Sequence, residues 1–243
     1  MATLTFLVAL SFGRAGEADD RMGSVSGRIA VAGDVPRPAP LPVVKHRSVC
    51  GDSKPAEDFV VSPSRSLANV VVTIEGVPRP YPEPRGLGLL DNVECVFVPH
   101  VQVLRVGQAL EIRSSDRIIH TAHAYDETLR TLFNVALPVY KRSVRRILAH
   151  TGTYRIACDV GHTWMSAHVV VVGHPYAAVT DGAGRFRFSG VPPGSYRLRF
   201  WHERLGVRDE PVVVRSGGET IVNLAWRSDG SRPGLTNSGE RAP

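Results

Sequence analysis

Apolar residues along this chain recur in short alternating or continuous runs, and helical spacing is nearly absent. Aliphatic and β-branched residues concentrate at 25–31, 70–74, 101–106, 110–112, 154–157, 166–172, 196–201, 212–214 and 221–224. Each run is bounded by Gly, Pro, Asp or Ser, residues that supply the backbone conformations that end strands. In Arg185-Phe186-Arg187-Phe188 and Arg197-Leu198-Arg199-Phe200 charge alternates with bulk, the period-two pattern of a strand with one face in a core and one in water. The pattern predicts an all-β protein of the sandwich class.

Two stretches break the pattern. Residues 32–55 contain five prolines and Cys50, and residues 76–92 contain Pro78, Pro80, Pro82 and Pro84. Proline cannot donate to a sheet ladder, so both are predicted as loops. The segment 227–243 is rich in Ser, Gly and Arg, and its composition predicts a disordered tail. At the other end, residues 3–12 are apolar and the chain turns polar from Gly13 to Ala18. This predicts a signal peptide over 1–18 and a periplasmic or secreted protein, although the usual basic flank is missing. No other run reaches membrane-spanning length.

At 243 residues and 43% hydrophobic, the chain can build one large β domain or two modest ones. The formal charge of +6 is carried largely by scattered arginines, among them Arg142, Arg145, Arg146, Arg185, Arg187, Arg197 and Arg199. No compact basic-aromatic cluster appears, so no nucleic-acid partner is expected. The charge suits a transient encounter with an acidic protein, or simply a solvated face. Oligomeric state is not legible.

Residues 179–198 run Val-Thr-Asp-Gly-Ala-Gly-Arg-Phe-Arg-Phe-Ser-Gly-Val-Pro-Pro-Gly-Ser-Tyr-Arg-Leu. This resembles the carboxypeptidase regulatory-like (transthyretin-like) domain, whose signature is T-D-x-x-G-x-F-x-F-x-x-V-P-P-G-x-Y-x-L. The resemblance implies a structural or interaction module, here 174–226, and not a catalyst. A segment of about fifty residues buries too little surface for an independent core. Strands at 25–31 and 70–74, within the segment 19–92, are therefore expected to complete it.

The chemistry concentrates in Cys158-Asp159-Val160-Gly161-His162-Thr163-Trp164-Met165, between two predicted strands. Thiolate, imidazole and thioether are donors that copper prefers. A second imidazole is available upstream, where the polar turn Ser114-Ser115-Asp116 leads into a strand bearing His120 and His123. Alternation puts those two on opposite faces, so one site can use only one of them. The stretch 93–173 resembles the cupredoxin family of plastocyanin- and azurin-like domains. That resemblance implies a Greek-key sandwich holding one type 1 copper with His120, Cys158, His162 and Met165 as ligands. Thr121 and Trp164 are then their expected neighbours, and Trp164 either shields the metal or packs on the adjacent module. The spacing C-x-x-x-H-x-x-M also resembles the binuclear copper loop of cytochrome oxidase subunit II. Tyr154 stands where that family has its second Cys, which implies a mononuclear centre.

With Cys158 assigned to copper, Cys50 and Cys95 remain, either as a disulfide or as two buried thiols. His46, His100, His150, His168, His174 and His202 each lack a second donor at metal spacing in the sequence. His174 is expected to face the His202-Glu203 pair across the module boundary. No catalytic triad, carboxylate pair or phosphate-binding loop stands out, so a non-enzymatic role is expected. By analogy with the family, His162 would reach the surface as the electron port to a transient redox partner. The alternatives are a copper carrier or scavenger on the same ligands and a metal-free β scaffold.

Overall fold

The computed structural model describes residues 21–140 and 143–228. The expected signal peptide and nearly all of the expected tail lie outside these residues. The described chain is all-β apart from a single helical turn, Arg47–Cys50, as the hydrophobic pattern predicts. Its strands form two sandwiches.

The first sandwich has a five-stranded sheet in the order Thr131–Leu137, His120–Tyr125, Gly152–Ala157, Ser166–Val172, Val101–Arg105. Facing it is a four-stranded sheet in the order Ser143–Ile147, Ala109–Ser114, Gly88–Val93, Val96–Val98. Leu90, Phe97, Leu110, Ile112, Ala122, Leu137 and Ile156 close the core between them, each fully buried. The proline-rich composition predicts loop over residues 88–92, and here the structure differs. These residues form a strand inside the four-stranded sheet, parallel to Ala109–Ser114. The four prolines end before it starts, and buried Asp91 and Asn92 mask its apolar character. The Asp91 carboxylate accepts from Arg113 Nε at 2.7 Å and Ser115 N at 3.0 Å, which satisfies the charge it buries.

The second sandwich draws strands from both ends of the described chain. Gly23–Ala32 pairs antiparallel with Arg185–Val191 and parallel with Glu219–Ile221 and Leu224–Arg227. The opposing sheet has the order Ala177–Val179, Val71–Glu75, Gly194–His202, Gly206–Val214. Ile29, Leu67, Ile74, Phe200 and Trp226 fill the space between the sheets, fully or almost fully buried. Each such side chain contributes roughly 1.5–3 kcal/mol. Phe186 and Phe188 face this core while Arg185 and Arg187 face water, as the alternation predicts. The first sandwich is thus inserted between two neighbouring strands of the second one, Val71–Glu75 and Ala177–Val179.

Strand Ser166–Val172 joins the two units physically. It is buried on both faces, which explains its unbroken apolar run. Val169 and Val171 belong to the first core, whereas Val170 and Val172 pack with Val71 and Val101 in a small cluster between the sandwiches. His168 shares the face of Val170 and Val172, turned toward the second sandwich.

These pairings make the second sandwich dependent on residues far upstream. A fragment spanning 174–228 lacks the strands Gly23–Ala32 and Val71–Glu75, which sit inside its two sheets. The fragment is expected to show no cooperative thermal transition by circular dichroism. A sharp two-state melt would contradict the architecture.

Candidate metal centre

Three donors converge at one end of the first sandwich. His120 begins the strand His120–Tyr125 with an inward side chain, while Cys158 and His162 lie on the loop between Gly152–Ala157 and Ser166–Val172. Cys158 Sγ lies 3.9 Å from His120 Nδ1 and 3.7 Å from His162 Nδ1, and the two Nδ1 atoms are 3.1 Å apart. The point equidistant from all three lies about 2.1 Å from each, the length of ordinary metal bonds to imidazole nitrogen and close to that of bonds to thiolate sulfur. Both histidines are fully buried and Cys158 nearly so. The residues present therefore fit a single metal ion, and their softness fits copper.

Each donor is held by its own partners. His120 Nε2 bonds the Asp116 carboxylate at 2.9 Å. The carboxylate thereby accepts the ring N–H and leaves Nδ1 with its lone pair free toward Cys158. Asp116 also accepts from the backbone N–H groups of Glu94 at 2.8 Å and Cys95 at 2.9 Å. Thr121 N–H donates to Cys158 Sγ at 3.4 Å, and the Thr121 hydroxyl lies 3.8 Å from the same sulfur while accepting from Asp159 N–H at 2.6 Å. Met165 is buried in the same core, its N–H donating to the His162 carbonyl at 2.9 Å. Trp164 is buried with its ring centroid 5.0 Å from that of His162, and its Nε1–H donates to the Cys95 carbonyl at 2.9 Å.

His123 lies on the opposite face of its strand, against Asp159 Oδ2 at 2.5 Å and Thr131 Oγ1 at 2.7 Å. It does not join the three donors. Cys50 and Cys95 form a disulfide across 45 residues of sequence. Such a crosslink stabilises by about 2–4 kcal/mol, mostly through the unfolded chain.

The disulfide pins the turn Arg47–Cys50 over the site, and that changes one expectation. His162 does not reach the surface. Its ring is fully buried, and His46 Nδ1 lies 2.8 Å from His162 Nε2. His46, only half-buried, stands between the buried imidazole and solvent. Lys45 closes the same flank, its Nζ donating to the Val160 carbonyl at 2.8 Å. Burial, with His120, His46 and Lys45 nearby, pushes His162 down to about 4. Burial also holds His120 below its ordinary value, against the opposing pull of Asp116. Both rings are neutral at physiological pH, the state in which imidazole donates to a metal. No spacing rule links His46 to a motif more than a hundred residues away, and sequence reasoning missed it.

A second convergence lies between the sandwiches: His100, His168 and Glu203 each offer a donor atom, all within 4.8 Å of one another. Glu203 meets these two side chains and not His174, which lies 3.8 Å from Glu75. Sequence spacing does not display this cluster, because its members come from separate elements of the fold.

Residues 159–227 match the family model of the carboxypeptidase regulatory-like domain. The match starts in the loop that carries His162 and includes strand Ser166–Val172, whereas the module is expected from 174. No curated protein sequence matches. Among solved structures, the chain is similar to a purple cupredoxin from Nitrosopumilus maritimus, at 18% identity and a TM-score of 0.31, over 35% of this chain and 99% of that one. It is also similar to a reduced amicyanin variant, at 18% identity and a TM-score of 0.32, over 42% and 98% of the two chains. A third similarity is to the copper-containing nitrite reductase of Thermus scotoductus SA-01, at 17% identity and a TM-score of 0.30, over 37% and 25%. The described chain is thus an all-β protein whose residues 159–227, which include strand Ser166–Val172 of the first sandwich, match the carboxypeptidase regulatory-like domain.

Proposed function

We propose that this chain is an exported, mononuclear type 1 copper protein that carries single electrons to and from a transient protein partner. The observation that carries this reading is the triangle of two Nδ1 atoms and one Sγ, already at metal-binding separation. Bound copper would supply a one-electron couple between its cuprous and cupric states. His120, Cys158 and His162 would hold it, with the Met165 thioether as the weak fourth donor that the family resemblance implies.

The remaining residues define what this protein adds. A strand holds His120 and one loop holds Cys158 and His162, with the disulfide-pinned turn packed on His162, which favours a geometry that changes little with oxidation state. Thr121 N–H withdraws electron density from the Cys158 sulfur, a contact that tunes potential. Trp164 and the turn bearing His46 keep water from the donors. The contact from His162 to His46 offers a hydrogen-bonded route outward, and the exposed cations Lys45 and Arg47 flank it. An acidic partner suits that rim. Burial of all three donors favours retention over the rapid release that a carrier requires. The disulfide is consistent with an oxidising compartment. No helix among the described residues is long and apolar enough to cross a membrane.

Oxidised protein given one equivalent of Cu(II) is expected to show an intense visible thiolate-to-copper band that ascorbate bleaches. Cys158→Ser should abolish the band, whereas Met165→Leu should only shift it. A colourless wild type, or a Cys158→Ser protein with full colour, would refute the assignment.

Asp116→Asn removes the charge that orients His120 and caps two backbone donors at the disulfide turn. Copper affinity, measured by competition with a chelator, is expected to fall about 10- to 100-fold, with a lower melting temperature. Unchanged affinity would show that Asp116 does not position the ligand.

A further inference from the structure

We infer that the junction of the two sandwiches holds a second metal site, for a zinc-class divalent ion, built from His100, His168 and Glu203. The three come from separate elements. His100 precedes Val101–Arg105, His168 lies on Ser166–Val172, and Glu203 follows Gly194–His202 of the other sandwich. Their donor atoms lie within 4.8 Å of one another.

In the metal-free chain His100 and Glu203 form a hydrogen-bonded ion pair, which a bound cation would replace by taking the proton's place between them. His100 Nδ1 donates to the Ser166 carbonyl at 3.0 Å and Nε2–H donates to Glu203 Oε1, so Nε2 becomes a ligand once a cation displaces that proton. A metal-binding histidine characteristically spends its other N–H on a backbone carbonyl in this way. The second Glu203 oxygen lies 3.6 Å from His168 Nδ1, beyond hydrogen-bond range. That Nδ1 is buried with no hydrogen-bond partner, in a residue only 9% exposed. A buried polar atom without a partner is uncommon and calls for an explanation. Here an imidazole nitrogen and a carboxylate oxygen face each other with room for a cation. Glu57 Oε2, 3.7 Å from His100 Nδ1, adds negative charge.

The site has an entrance. A cleft of about 270 Å³ is lined by His168, Glu203, Trp201, Asp126, Glu127 and Arg155 among others. Asp126 and Glu127 suit cation entry, with Arg155 as the one opposing charge among these six. Two imidazoles and a carboxylate form a borderline-to-hard donor set that zinc accepts readily. The set lacks the thiolate of the copper centre, so the two sites would prefer different metals. An ion here would crosslink the sandwiches, because Glu203 belongs to one and both histidines to the other.

The test uses the full chain carrying Cys158→Ser, which removes the thiolate from the first centre. Zinc titration by calorimetry is expected to give one ion per chain and a raised melting temperature. Adding Glu203→Gln or His168→Gln should weaken that binding about tenfold or more, while the metal-free melting temperature checks folding. If Glu203→Gln fails to fold, His168→Gln, at the cleft wall, gives the deciding comparison. Absence of stoichiometric zinc binding overturns the inference. So does zinc binding that both folded variants leave intact, because the ion would then lie elsewhere. Neither result bears on the copper reading, which rests on Cys158.

Discussion

The Asp116 carboxylate is the interaction on which the candidate metal centre depends. A carboxylate that is mostly removed from water needs several donors to offset the cost of burial, and Asp116 finds three: Glu94 N–H, Cys95 N–H and His120 Nε2. Glu94 and Cys95 have positive φ angles of 51° and 61°, a conformation unfavourable for residues with a Cβ. Accepting from both amides, the carboxylate helps hold this turn in place. The same group therefore seats the disulfide and fixes the tautomer of the first imidazole. Through Cys95 the constraint reaches Cys50 and the turn carrying His46, which lies on the second imidazole.

The two sandwiches are coupled as closely as the ligands are. Inserting one unit between adjacent strands of the other leaves the second sandwich without a continuous sequence, and it folds only if its distant segments meet. Strand Ser166–Val172 has a core on each face. It follows the metal loop directly, so movement between the sandwiches would be felt at Cys158, His162 and Met165. The His100, His168 and Glu203 cluster lies on this same seam.

Much of the architecture was legible because strands with one buried face leave a period-two trace, as at Arg185 to Phe188. The donors on one loop were legible because Cys158, His162 and Met165 are close in sequence. Strand Gly88–Val93 was not, because its buried positions include Asp91 and Asn92, whose burial is compensated by partners a sequence does not display. His46 was not legible as a neighbour of His162, since a disulfide and a proline-rich excursion bring it there. Glu203 stands beside His202 in the sequence, but its partners His100 and His168 belong to the other sandwich and stand at no fixed spacing from it. Only the closing of the fold brings the three together.

In the proposed centre, copper would be held by one sulfur and two imidazoles that the fold has already brought together. X-ray absorption at the copper edge, on the full chain loaded with one equivalent, tests it most directly. The predicted result is a coordination shell of one short copper–sulfur bond and two nitrogens, nearly unchanged on reduction. A shell of nitrogen and oxygen without sulfur, or one that rearranges on reduction, would contradict it.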